Sequence, residues 1–434
     1  MNRMLAPILA STLAIGLVAV AAPAHAAPGG PRAHGADPRA GSLVLIGGNL
    51  SEDAAILSKI VELADPDGGG PEAARIAIIT AAAAPAESAA EGSDSAENNA
   101  QANGLYYAEL FGRYGAETYV VPIDEAVDFD GDSYVPSNAD RADVADQVRQ
   151  STGVFLGGGD QMRYVRTLLD CSGAPVDEAY RRCADTPVLG AVRDVLDADG
   201  VVAGVSAGLT IQQGADMVTG GESYQAWRDG GSPGYLDDPT ALASLPFGGF
   251  GFFQEALLDS HFGTWGRQAR MIRLADDTHH RRILGVDETT ALAYDRSTRI
   301  GEVIGEAGAS VIDVEPRDVR GQTARDVRWT RLVAGDAFDF ARGTAIPGAE
   351  RITAPATGAG PAEAADVWDS IDGPGNSGSL SDLATALVAS SATTASGTSF
   401  ETAPQFRTTL TRDRATSWWS TGGFEQLRVD IGAE

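Results

Sequence analysis

The sequence predicts an α/β fold: a mostly parallel sheet flanked by helices, with a β-rich C-terminal part. Three observations carry this. From Ser42 to Leu209, short apolar runs rich in Val, Ile and Leu alternate with helical segments, the pattern of strands buried on both faces. Several of these runs end in glycine turns, notably Gly47-Gly48, Gly157-Gly158-Gly159 and Gly204-Val205-Ser206-Ala207-Gly208. After Ser206 the alternation gives way to strand-like runs with few helical stretches between them.

The elements follow in chain order. Arg3, the apolar stretch Leu5 to Pro23 and the A-x-A sequence Ala24-His25-Ala26 read as a secretory signal peptide over residues 1–26. This reading makes the mature protein secreted, with no membrane association once the leader is cleaved. Residues 27–41 are Pro-, Gly- and Ala-rich, a disordered lead-in. Strands are expected over Ser42 to Ile46, Arg75 to Thr80, Glu117 to Val121, Gly153 to Leu156 and Val201 to Ala203. Helices are expected over Glu52 to Leu63 with Ser51 as cap, Ala96 to Tyr114, Ala139 to Gln150, Met162 to Leu169 and Val188 to Leu196. In the second of these, Leu105, Tyr107, Leu110 and Phe111 are expected to face a core.

Asp170 to Asp185 reads as a surface insertion. Cys171 and Cys183 are the only cysteines, so in an exported chain one disulfide is the natural expectation. A loop this short gains about 3 kcal/mol in the chain-entropy account. Strands are expected at Met217-Val218, Ala256 to Ser260, Arg282 to Val286 and Thr290 to Tyr294. Tyr224 to Gly251 reads as a long loop, Gly301 to Val314 as a hairpin, and Val327 to Phe340 as a final strand pair. The main domain then spans 42–345, residues 346–380 read as a linker, and 381–434 as a C-terminal extension.

The chain has 434 residues and a formal net charge of −28. Lys59 is its only lysine. Such a charge disfavours nucleic acid and anionic membranes as partners, since both carry phosphates of the same sign.

Gly204 to Gly208 is a G-x-S-x-G sequence on a strand-to-helix turn, the setting of a nucleophile elbow. An incidental serine on a glycine-rich turn is the plainer alternative. A serine nucleophile needs a base, and histidine is the usual one. His25 belongs to the leader, His34 to the lead-in, and His279 and His280 to a polar run. His261 remains, at the end of an apolar strand. For the acid that orients it, Asp259, Asp287 and Glu288 compete. The order Ser, His, acid differs from that of the α/β-hydrolases, where the acid precedes the histidine. A D-x-H metal pair of Asp259 and His261 lacks a third ligand, so neither a metal nor a cofactor is expected.

These residues resemble the cyanophycinase and aspartyl-dipeptidase family of serine peptidases. The matching stretches are Ile46-Gly47-Gly48, Phe155 to Gln161, Gly204 to Gly208, Asp259-Ser260-His261-Phe262, and Gly285 to Ala291. The resemblance implies a fold like that of class I glutamine amidotransferases (flavodoxin-like), with serine in place of cysteine. It implies a triad of Ser206, His261 and Glu288, and an oxyanion hole around Gly159, Asp160 and Ala207. Gln161 matches the family's substrate-binding glutamine, and Arg267 and Arg270 match its basic residues. Asp259 and Trp265 join that substrate-binding set. The two arginines would lie on one side of a helix, where a solvated face is the alternative.

One position departs from the family's H-F-x-x-R-x-R pattern: Trp265 stands where an arginine would grip an acidic polymer. The implied substrate is a peptide or polypeptide, either cyanophycin or another acidic-residue peptide. The implied route is an acyl-enzyme without cofactor. A secreted binding protein on the same fold is the alternative of another class. A homodimer is compatible with the resemblance.

Overall fold

The computed structural model describes residues 41–65, 68–171, 183–315, 318–352 and 358–434. The leader and lead-in expected over 1–41 lie outside the described residues except for Gly41.

Two sheets organise the chain. In the first, Ser42–Ile46 is central. Val201–Val205, Gly153–Leu156, Arg75–Ile79 and Glu117–Val120 follow on one side, all parallel. On the other side, Thr290–Asp295, Ile300–Gly305, Ala337–Asp339 and Thr344–Ile346 extend it antiparallel. Successive side chains of the central strand serve opposite faces, as a pleated strand requires. Leu43 and Leu45 join a core with Val192 and Leu196 of the helix Pro187–Asp197. Val44 and Ile46 join a second core with Ile56 and Ile60 of the helix Ala54–Leu63. Burial on both faces explains the unbroken apolar runs.

The caps follow from local chemistry. The helix Ala54–Leu63 is capped by Asp53, whose Oδ1 accepts from the amides of Ala55 and Ile56 at 2.9 Å, rather than by the expected Ser51. The helix Ala100–Arg113 buries Leu110 and Phe111, but Leu105 is turned outward and exposed.

The second sheet runs Leu257–Asp259, Arg282–Val286, Ala309–Asp313, Thr323–Leu332, Phe424–Ala433, Phe406–Thr411 and Thr394–Thr398. Its first pair is parallel and the rest antiparallel. Three expectations differ here. Ile300–Gly305 and Ala309–Asp313 are consecutive but belong to different sheets, so Gly301 to Val314 is no hairpin. Thr323–Leu332 and Ala337–Asp339 divide in the same way. Alternating patterns mark strands but do not name their partners: Ile300–Gly305 pairs back with Thr290–Asp295, and Ala309–Asp313 pairs forward with Thr323–Leu332. The long loop expected over Tyr224 to Gly251 contains the helix Ser223–Asp229 and the strands Gly231–Pro233 and Leu242–Leu245.

The boundary expected at 345 does not divide the fold. Phe424–Ala433 lies inside the second sheet, between two other strands. In the stretch expected as a linker, Trp368 is buried against Trp227 and Phe406, and its Nε1 donates to Thr408 Oγ1 at 3.2 Å. The Ala, Gly and Pro composition hid one aromatic anchor. Cys171 and Cys183 form a disulfide that closes the insertion; residues 172–182 between them lie outside the described set.

Trp368→Ala should lower the unfolding free energy by about 3–5 kcal/mol, the usual range for emptying a fully buried aromatic site. Chemical denaturation of the two proteins measures the difference. A change within experimental error would mean the 358–378 segment is not part of the folded core.

Candidate active site

Three strand ends converge at the turn Ile46-Gly47-Gly48. Ile46 O accepts from the amide of Ser206 at 2.9 Å. Gly47 O accepts from the amide of His261 at 2.8 Å, and Gly48 O from the amide of Thr289 at 2.9 Å. Ser206 follows Val201–Val205 in the first sheet, while His261 and Glu288 follow Leu257–Asp259 and Arg282–Val286, parallel neighbours in the second.

Ser206 sits at φ 56°, ψ −113°, a conformation that non-glycine residues rarely adopt and that a nucleophile elbow requires. The flanking glycines permit it: a methyl group on Gly204 would stand 2.1 Å from Gly208 O, and one on Gly208 2.2 Å from Leu156 O. The one-turn helix Ala207–Thr210 begins immediately after.

Side chains complete a linear chain. Ser206 Oγ lies 2.7 Å from His261 Nε2, and His261 Nδ1 lies 2.8 Å from Glu288 Oε1. Burial holds the His261 imidazole below the usual histidine pKa, against the opposing pull of Glu288. The hydrogen bond to His261 holds the Glu288 carboxyl below the usual carboxylate range, and the nearby Trp265 indole acts in the same direction.

The competing acids are engaged elsewhere. Asp287 accepts from the Gly263 amide at 2.6 Å and from Arg331 Nη1 at 2.8 Å. Asp259 is buried and takes both Nε and Nη2 of Arg270, at 2.9 and 2.7 Å. His280 pairs with Asp216 at 2.9 Å, and His279 closes the helix Gln268–Thr278.

A cavity of about 180 Å³ opens at Ser206. Gly159, Gln161, Ala207, Asp259, His261, Trp265, Arg267 and Arg270 are among its lining residues. Of the expected oxyanion amides, that of Asp160 donates to Ala82 O at 2.8 Å and is committed to the fold. Gly159 and Ala207 remain beside Ser206. Asp160 serves instead as a helix cap, its Oδ1 accepting from Met162 N at 2.8 Å, and its Oδ2 accepts from Tyr235 Oη at 2.9 Å. Tyr235 carried no sequence signal for this place. The Gln161 amide nitrogen donates to Val218 O at 2.9 Å.

Arg267 and Arg270 are largely buried, so the solvated-face alternative does not hold. Arg270 also donates to Gly221 O at 2.6 Å, while Arg267 reaches Ser260 O at 2.8 Å and Asp259 at 3.3 Å. Among the described residues, no group of three or more His, Cys, Asp or Glu side chains could hold a metal ion. No helix among them is long and apolar enough to cross a membrane.

Fold and site together define a class: an α/β protein with the Ser–His–carboxylate geometry of serine hydrolases. Within that class the chain is similar to cyanophycinases. It is 28% identical over 221 residues to the cyanophycinase of Trichormus variabilis, covering 48% of this chain and 64% of that protein. It is 27% identical over 212 residues to the cyanophycinase of a Nostoc species, covering 46% and 61%. The chain thus spans less than two thirds of the length of either relative. A solved peptidase from an acI-B1 Actinobacterium aligns with 69% of this chain and 97% of its own, at 18% identity and a TM-score of 0.44. No protein-family model matches the chain.

Gly48 gives the site a direct test. A methyl group there would stand 2.2 Å from His261 Cε1, at a backbone φ of 148°. Gly48→Ala should displace the imidazole and slow labelling of Ser206 by a fluorophosphonate about 100-fold, the cost of misplacing a reacting group by about 1 Å. Unchanged labelling would show that the ring does not occupy this position when it reacts.

Proposed function

We propose that the protein is a serine-type peptidase of the cyanophycinase kind, cutting peptides that carry acidic residues. The observation that carries this is the continuous chain from Ser206 through His261 to Glu288, with contacts of 2.7 and 2.8 Å.

In this reading Ser206 Oγ attacks the peptide carbonyl carbon as His261 Nε2 takes its proton. Glu288 holds Nδ1–H and stabilises the imidazolium. The amides of Gly159 and Ala207 receive the developing oxyanion. The tetrahedral adduct collapses, His261 hands its proton to the leaving amine, and an ester to Ser206 remains. Water, deprotonated by His261, then attacks that ester and restores the serine. Low exposure serves this cycle, since it keeps His261 neutral and ready to accept a proton near neutral pH.

The cavity lining supports an acidic substrate. Among the charged side chains lining the cavity, two guanidinium groups, Arg267 and Arg270, face one carboxylate, Asp259, with Glu288 engaged by His261. A substrate carboxylate near Arg267 would balance the second guanidinium by charge-assisted hydrogen bonds. Cyanophycin, yielding β-aspartyl-arginine dipeptides, is the substrate we favour, on the strength of the named relatives. Secretion is part of the same proposal. The leader-like residues 1–26 and the Cys171–Cys183 disulfide support it.

Purified protein incubated with cyanophycin should release dipeptide, and Ser206→Ala should reduce that release by about 10³-fold or more. Cleavage of aspartyl dipeptides with the polymer left intact would overturn the polymer substrate and leave the peptidase. Absence of turnover together with absence of fluorophosphonate labelling at Ser206 would overturn the enzyme itself and favour a binding protein.

The rate should also depend on pH in a set direction. The reactive form carries neutral His261, so activity rises as pH passes upward through the His261 pKa. Because burial lowers that pKa, the acid limb should fall below the range of an exposed histidine. A pH profile of kcat/KM measures it, and a limb at or above that range would contradict the buried neutral base.

A further inference from the structure

We propose that Trp265 is a positioning residue for His261 and Glu288, not a stacking platform for substrate. The inference rests on the serine-peptidase reading of the site.

The geometry starts in the backbone. After His261 the chain folds back on itself. Trp265 N donates to His261 O at 2.9 Å, and Arg267 N to Phe262 O at 2.9 Å. This turn lays the indole flat on the imidazole, with ring centroids 4.2 Å apart and planes 15° from parallel. The same indole lies on the Glu288 side of the ring and helps to hold that carboxyl below its usual range. The stack on the base is the contact that carries the inference. The Arg267 guanidinium lies 4.5 Å from the indole centroid, within cation–π range.

The turn itself is tied down. The Gly263 amide donates to Asp287, and the Glu288 amide donates to Thr264 Oγ1 at 3.2 Å. Thr264 O accepts from Ser377 Oγ at 2.7 Å and from the Gly378 amide at 3.1 Å. An indole carried on so fixed a turn has little freedom to swing away.

A face-on neighbour opposes the imidazole rotation that would carry Nε2 away from Ser206. The indole also covers a ring that would otherwise meet water. The charged groups around His261 are Glu288, Asp259 and Arg267; Asp287, Arg270 and Arg331 stand one contact further out. A Trp265 variant removes none of these charges, and Trp265→Phe keeps an aromatic face for Arg267 where Trp265→Ala does not.

The tests are Trp265→Ala, which removes stack and N–H together, and Trp265→Phe, which keeps a flat ring without the donor. Fluorophosphonate labelling of Ser206 needs no peptide and reads the His–Ser pair directly. Trp265→Ala should slow labelling about 10- to 100-fold and move the acid limb of its pH profile upward, toward an exposed histidine. Trp265→Phe should keep the limb near its wild-type position with a smaller loss of rate. Unchanged labelling in both variants, with a raised KM for peptide, would overturn the proposal and make Trp265 a substrate contact. Titration of His261, followed by NMR on ring-labelled protein, applies even if the protein hydrolyses nothing. An upward shift in Trp265→Ala that Trp265→Phe reverses supports positioning, and coincident titration curves in the three proteins overturn it. Wild-type protein that neither labels nor hydrolyses refutes the peptidase reading separately.

Discussion

Three backbone hydrogen bonds at Ile46-Gly47-Gly48 hold the candidate site together. Consecutive carbonyls accept from the amides of Ser206, His261 and Thr289. One strand end thereby aligns a turn of the first sheet with two turns of the second. Buried amides and carbonyls must be paired, so this register cannot slip without orphaning them. The side-chain distances of 2.7 and 2.8 Å follow from that register, since each carrier turn is fixed within one or two residues of the group it presents. Gly48 is part of the same constraint, because the His261 ring fills the space a side chain would need.

The parallel half of the fold was legible because its inner strands are buried on both faces and its helices are amphipathic. Those are local patterns, and the strands from Ser42–Ile46 to Val201–Val205 follow them. The antiparallel half was legible only as strands. Ile300–Gly305 and Ala309–Asp313 adjoin in sequence yet pair in different sheets, the first with Thr290–Asp295 and Ala337–Asp339, the second with Arg282–Val286 and Thr323–Leu332. At the site, elimination among five histidines left His261, but strand reasoning alone could not separate Asp259, Asp287 and Glu288. What separates them in space is their partners. Asp259 is held by Arg270 and Asp287 by Arg331, while the carboxyl of Glu288 meets His261 Nδ1. Arginines remote in sequence carry no local signal of which acid they will take. The commitment of the Asp160 amide to Ala82 was hidden for the same reason.

The C-terminal residues belong to this argument as well. Ser377 and Gly378 hydrogen-bond Thr264, within the turn that carries His261 and Trp265. Trp368 packs at the close approach to Gly266, where an added methyl would stand 2.4 Å from its carbonyl carbon. The strand Phe424–Ala433 lies inside the sheet whose first pair, Leu257–Asp259 and Arg282–Val286, leads into His261 and Glu288. A segment whose composition suggests a spacer therefore supports the base from behind, and the scaffold of the site extends well past residue 345.

Burial around His261 sets two demands against each other. Removing water lowers the imidazole pKa and keeps a neutral base available, yet the imidazolium formed in the proposed reaction must be tolerated in the same place. Glu288 resolves the conflict if it is ionised before the proton moves, and its own lowered pKa is consistent with that. Arg267 works against the imidazolium and Asp259 in its favour, while Asp259 accepts hydrogen bonds from both Arg267 and Arg270. A substrate carboxylate brought to Arg267 would shift this balance toward the protonated base. On the proposed reading an acidic substrate would do more than bind: its charge would help carry the proton that the serine gives up.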